Sequence, residues 1–146
     1  MFDIDDIYSD LIMEHSMNSY NKRILNNYSC SLDGKNPNCG DEINVQVLIE
    51  NNTLKDIAFT GYGCAISQSS TSIMIDTLRG LSVENVKEIV NIFIKMIKRE
   101  QISKEEEKKL QNCIAFKNIS NMPARVKCAL LPWYTVLEIL EKECKN

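Results

Sequence analysis

The run from Ile43 to Phe59 leaves the fold little choice. Ile43, Val45, Val47 and Ile49 alternate with polar residues, Asn51-Asn52 follows, and Leu54, Ile57 and Phe59 come next. Alternation with a period of two describes a strand with one buried face. Asparagine tolerates positive φ, so the Asn pair suits a tight hairpin turn. Upstream, Tyr28, Cys30 and Leu32 alternate with Ser29, Ser31 and Asp33, which predicts a short, half-buried first strand. The three strands together form an antiparallel meander.

Helical periodicity surrounds the strands. Ile4, Ile7, Tyr8, Leu11 and Ile12 share a face over residues 4–15. "GYGC" at 61–64 breaks the third strand, and a helix is predicted from Ala65 to about Arg79, ending at Gly80. Ser82 suits the cap of the next helix, whose stripe is Val83, Val86, Ile89, Val90, Phe93 and Ile97. "WYTVLEILEKEC" reads as a last amphipathic helix, beginning or kinking at Pro132 because proline breaks a helix interior. The serine-rich run "SQSSTS" is expected to let its helix approach the sheet closely. The charged stretch at about 98–112 is expected to be a solvated insert. With no repeat or linker, residues 1–146 fit one domain. The fold class is α+β: a three-stranded antiparallel sheet with helices on one face.

A net charge of -3 gives no basic face for nucleic acid. No apolar run is long enough for a bilayer. The acidic start "MFDIDDIYSD" has neither a basic n-region nor an apolar h-region, so the cytoplasm is the expected compartment, where structural disulfides are rare. The cysteines at 30, 39, 64, 113, 128 and 144 are therefore read as thiols. None has C-x-x-C spacing, and a single histidine, His15, argues against a Cys/His finger. His15 is expected to be a surface or capping residue.

In "NPNCGDEI", Cys39 and Asp41 occupy a turn after the first strand, and Cys64 stands where the third strand gives way to a helix. A helix N-terminus favours negative charge on sulfur. Both loops lie on the same edge of the meander, so Cys39, Asp41 and Cys64 can converge. Cys128, in "MPARVKCALLPW", is the candidate for a fourth ligand. Three thiolates and one carboxylate suit tetrahedral zinc, and the hard oxygen is the exchangeable member. Arg125 and Lys127 are close enough in sequence to offset the negative charge. Nothing in the spacing ties Cys30, Cys113 or Cys144 to this site.

Taken in order, "NPNCGDEI", "GYGCAIS" and "MPARVKC" resemble the NifU/IscU/SufU family of iron–sulfur cluster assembly proteins. The resemblance runs from the Tyr8 helix to the Trp133 helix. It implies that Cys39, Asp41, Cys64 and Cys128 are the metal or cluster ligands. Scaffold members of IscU type carry a histidine directly before the last cysteine, where this chain has Lys127, and they lack the charged insert. Both departures resemble the SufU type. That type implies a zinc-dependent sulfurtransferase in which Cys39 accepts persulfide sulfur from a SufS-type cysteine desulfurase, Arg125 supports the exchange, and iron–sulfur scaffold proteins receive the sulfur downstream. The alternatives are an IscU-like scaffold that builds a [2Fe–2S] cluster on the same ligands, and an inert zinc-stabilised interaction module. "NSYNKRIL" departs from the family at Ser19-Tyr20, where Pro-Arg is usual.

Overall fold

The computed structural model describes residues 4–17, 19–37 and 40–143. The elements run α1 (Ile4–Met17), β1 (Cys30–Asn36), β2 (Asp41–Glu50), β3 (Thr53–Tyr62), α2 (Ala65–Leu78), α3 (Val83–Ile97) and α4 (Lys104–Lys109). A 3₁₀ segment (Gln111–Asn121), α5 (Pro123–Glu138) and a π-helical turn (Ile139–Glu143) complete the order.

The predicted meander is present. The strand order is β1-β2-β3, antiparallel throughout. Asn51 and Asn52 turn the β2–β3 hairpin with φ of 51° and 62°, the left-handed pair that matches strand twist. The first strand lies further along than its alternation suggested. Tyr28 stays exposed outside the ladder, and pairing extends instead to Asn36, which faces Asp41. The long β2 offers ladder partners all the way to that end, and local alternation cannot register this.

Ile43, Val45, Val47, Ile57 and Phe59 are buried beneath the helices. Gln46 and Ala58, paired across the strands, are also buried, although they point to the opposite face. Leu25 helps to cover that face and donates its N–H to Gln46 Oε1 at 2.8 Å. The outer edge of β3 is closed by the preceding segment: Phe59 N–H donates to the Asn21 carbonyl and Arg23 N–H to the Phe59 carbonyl.

α1 sets Tyr8, Leu11 and Ile12 against the core. α2 is buried along nearly its whole length. Its small side chains bring it against the helices on either side as well as the sheet. Ser70 donates to the Ala129 carbonyl on α5 at 2.7 Å, and Ser72 bonds to His15 Nδ1 on α1 at 2.6 Å. His15 is therefore packed between α1 and α2 rather than displayed on the surface. α3 begins at the predicted Ser82 cap and buries Val86, Ile89, Val90, Phe93 and Ile97.

The charged insert forms α4, closed by a Ser103/Glu106 capping box with no buried residue inside the helix. Three glutamates fill its first turn and two lysines its last, in keeping with the helix dipole. Leu110 anchors its end in the core.

α5 does not begin at Pro132, which corrects that part of the expectation. The helix starts at Pro123, where proline suits the first turn, and continues past Pro132. Trp133, the next residue, is fully buried. Its ring stacks on Phe93 at 3.9 Å and 7°, and its indole N–H donates to Ser70 Oγ at 3.0 Å. Ala129, Leu130 and Val136 are buried on the same helix.

Candidate metal centre

Three elements meet at one end of the sheet. Asp41 opens β2, immediately after Gly40, whose φ is +71°. Its carboxylate is 2 % exposed. Oδ1 accepts from the Cys64 backbone N–H at 2.9 Å and from the Ser67 hydroxyl at 3.0 Å. Oδ2 is equally buried and has no hydrogen-bond partner.

Cys64 is the N-cap of α2, as its position after "GYG" predicted. Its backbone is extended, and Sγ accepts from the Ser67 N–H at 3.5 Å. Gly61 makes the exit from β3 possible: φ is +116°, and a Cβ there would run into the backbone of Glu42 and Ile43.

Cys128 lies in the second turn of α5 and is fully buried. Asn36 Nδ2 approaches its Sγ at 3.8 Å from the last position of β1.

The ligand atoms of Asp41, Cys64 and Cys128 all lie within 4.8 Å of one another. A tetrahedral zinc with Zn–S of about 2.3 Å sets its sulfurs about 3.8 Å apart, so a small contraction would seat an ion. The unpartnered Oδ2 supports the same reading, because an isolated buried carboxylate oxygen is costly and a cation would satisfy it. Two sulfurs and a carboxylate oxygen are donors of zinc or iron type, and the residues fit such an ion.

Cys39, the fourth ligand expected from the sequence, lies outside the described residues, as does Cys144. Arg125 and Lys127 are exposed on the first turns of α5. His15 is bound at Ser72, eight residues along α2 from Cys64, a rise of about 12 Å. A groove of about 570 Å³ between α1 and the 3₁₀ segment, lined by Tyr8, Ile12, Ile114, Ile119 and Met122, includes none of the three ligands.

Two of the remaining cysteines are separate from the centre. Cys113 is a fully buried free thiol beside the Thr77 hydroxyl at 3.3 Å, and burial pushes its pKa up to about 12. Cys30 is buried at the start of β1 as the alternation implied, but it is disulfide-bonded, which corrects the expectation of a reduced thiol. Spacing alone does not identify a disulfide.

The sequence did not single out Asn36, Gly63 or Ser67. Asn36 stood inside the "NPNCGD" turn and Ser67 inside a run of small residues. The hydrogen bonds of Asn36 and Ser67 to the candidate ligands depend on register and helix phase, and Gly63 matters only through the space it leaves.

The NifU-like N terminal domain family matches residues 7–129. The chain is 36% identical to the iron–sulfur cluster assembly scaffold protein IscU of Thermotoga maritima, over 93% of this chain and 94% of the relative. It is 33% identical to the zinc-dependent sulfurtransferase SufU of Bacillus subtilis, over 96% of this chain and 93% of the relative. Among solved structures, the iron–sulfur cluster assembly scaffold protein for the SUF system (FiSufU) of Fervidobacterium islandicum superposes with a TM-score of 0.83 at 34% identity, covering 92% of this chain and 97% of the other. The chain, with its meander and its Asp/Cys/Cys centre, belongs to the NifU-like N-terminal domain family, the IscU/SufU group of iron–sulfur cluster assembly proteins.

Proposed function

We propose that this chain is a sulfur acceptor of SufU type in iron–sulfur cluster assembly, with Cys39 as the accepting residue and zinc as the resident metal. The observation that carries the reading is the donor set. Two cysteines and a carboxylate with an unpartnered oxygen converge, while the chain's one histidine is engaged elsewhere. The position before Cys128, where scaffold members of the family have histidine, holds the exposed Lys127.

Asp41, Cys64, Cys128 and Cys39 would hold the ion. Bound zinc would keep its cysteine ligands as thiolates, shielded until a partner docks. In the sequence Cys39 stands two residues before Asp41. Transfer is a thiolate–disulfide type of exchange. Cys39 sulfur attacks the terminal sulfur of a persulfide on a SufS-type cysteine desulfurase and forms a new S–S bond. The desulfurase S–S bond breaks, and its cysteine leaves as thiolate. One sulfur atom moves, and nothing is oxidised or reduced overall. Arg125, exposed three residues before Cys128, would support the exchange electrostatically. Cytoplasmic iron–sulfur scaffold proteins would take the sulfur onward. Among the described residues no helix is long and apolar enough to cross a membrane.

The test is alanine production by the desulfurase with no addition, with zinc-loaded wild type, and with Cys39→Ala and Arg125→Ala. Wild type should stimulate, Cys39→Ala should not, and Arg125→Ala should stimulate weakly at unchanged zinc content. Equal stimulation by Cys39→Ala would remove it as acceptor. Absence of stimulation, together with a [2Fe–2S] cluster reconstituted on the chain, would transfer the site to the scaffold reading, which the name of the Thermotoga maritima relative favours.

A further inference from the structure

We propose that Ser67 is a positioning residue of this centre: its hydroxyl commits Asp41 to offering one oxygen, and so sets how fast a bound metal leaves. This rests on reading Asp41, Cys64 and Cys128 as ligands.

The two oxygens of Asp41 differ. Oδ1 takes both hydrogen bonds, from Cys64 N–H and from the Ser67 hydroxyl, while Oδ2 takes none. Two donors on one oxygen fix the carboxylate plane, because turning it would break both bonds. Oδ2 is thereby presented alone, as a one-oxygen ligand prepared before any ion arrives. The Ser67 hydroxyl also lies 3.1 Å from the Cys64 carbonyl, but it has a single proton to give. The charged carboxylate is the stronger acceptor. Through its backbone N–H the same residue reaches Cys64 Sγ. Ser67 thus touches two of the three ligands while remaining fully buried and clear of solvent.

Gly63 protects the arrangement. A Cβ at position 63 would fall inside contact distance of both Ser67 Oγ and Asp41 Oδ1. Only a residue without a side chain leaves that hydrogen bond its room.

Removing the hydroxyl leaves Asp41 with the Cys64 N–H alone, and the carboxylate is free to swing. Loss of such an outer contact typically weakens metal binding about 10–100-fold. The experiment uses the full chain loaded with zinc and follows transfer of the ion to a chromogenic chelator. The visible spectrum of the cobalt(II)-loaded protein is recorded alongside. Wild type is compared with Ser67→Ala, Asp41→Ala and the double variant.

Ser67→Ala should release zinc about tenfold faster and shift the cobalt bands, reporting a changed ligand field. Asp41→Ala should release at least as fast, and the double variant no faster than Asp41→Ala, because Ser67 acts through Asp41. A wild-type rate and spectrum for Ser67→Ala, or an additive double variant, would overturn the proposal. A wild-type rate for Asp41→Ala would remove the ligand reading itself, a different result from a fast Asp41→Ala beside an unchanged Ser67→Ala. If Ser67→Ala does not fold, Gly63→Ala reaches the same hydrogen bond from the other side. It should also accelerate release, and an unaccelerated rate there would overturn the proposal.

Discussion

Replacing Asp41 by Asn changes the ligand with almost no change of shape. The amide carbonyl can take the place of Oδ1 and keep both hydrogen bonds, from Cys64 N–H and Ser67. The amide nitrogen then stands where Oδ2 stood, and one buried unpartnered acceptor becomes one buried unpartnered donor. Each costs about 1–3 kcal/mol, so the two nearly cancel, and the metal-free variant should unfold within about 1 kcal/mol of wild type. The metal-bound proteins should differ. Free zinc at 100 times Kd adds about 2.7 kcal/mol to wild type. A nitrogen that cannot ligate weakens binding at least as much as losing an outer contact, about 10–100-fold, which removes about 1.3–2.3 kcal/mol of that gain. In a chain of 146 residues each kcal/mol is worth roughly 3 °C. The rise in Tm on adding zinc should therefore be smaller by roughly 4–7 °C in Asp41→Asn. Thermal unfolding by circular dichroism, at fixed free zinc and in excess chelator, reads both arms. An equal zinc-induced rise in the two proteins would refute Oδ2 as a ligand. A metal-free variant weakened by several kcal/mol would show instead that the carboxylate is needed for folding.

Cys113 makes a prediction in pH. Burial raises its thiol from about 9 to about 12, so the folded state holds a proton that the unfolded chain releases above pH 9. Its contribution to stability is complete below pH 9 and is lost between there and pH 12, at roughly 1.4 kcal/mol per pH unit. Cys113→Ala should flatten that alkaline decline in denaturant midpoints, and an unchanged slope would count against it. The hairpin turn makes another. Asn51 sits at φ 51°, so Asn51→Ala should cost about 1 kcal/mol and Asn51→Gly only a few tenths, compared by thermal melts. Equal losses would mean that the side chain, and not the backbone angle, matters at that position.

The parts of this molecule legible in the sequence were those written in short periods. Alternation from Ile43 to Phe59, the Asn pair and the Ser82 cap specify local geometry that packing then keeps. The convergence of Asp41 and Cys64 was legible for a topological reason, since in a meander the start of β2 and the end of β3 share an edge, whereas Cys128 on α5 was legible only from its own motif, "MPARVKC". Other features depend on where an element ends relative to its neighbours. β1 runs on to Asn36 because β2 offers partners there, and that extension is what carries the Asn36 amide to Cys128. α5 passes Pro132, and the neighbouring Trp133 is stacked on Phe93, a tertiary contact that local propensity does not register. The disulfide at Cys30 depends on a partner that spacing does not name.

The serine-rich α2 connects these parts. A buried helix of hydroxyls looks unfavourable until the protons are followed. Ser69 donates to the Ala65 carbonyl, Thr71 to Ser67 and Thr77 to Ile73, so these side chains are satisfied within the helix. Ser67 and Ser70 donate outward instead, to Asp41 and to the Ala129 carbonyl. Ala129 follows Cys128 directly, and Trp133 closes the link by donating back to Ser70. One helix thus supplies Cys64 at its N-cap, holds Asp41 through its first turn, and fastens the turn of α5 that bears Cys128 through its second. An alanine at 67 or 70 would keep the close packing, but it would not tie two candidate ligands to the helix that bears the third. The small polar residues of α2 therefore serve the candidate metal centre as well as close packing.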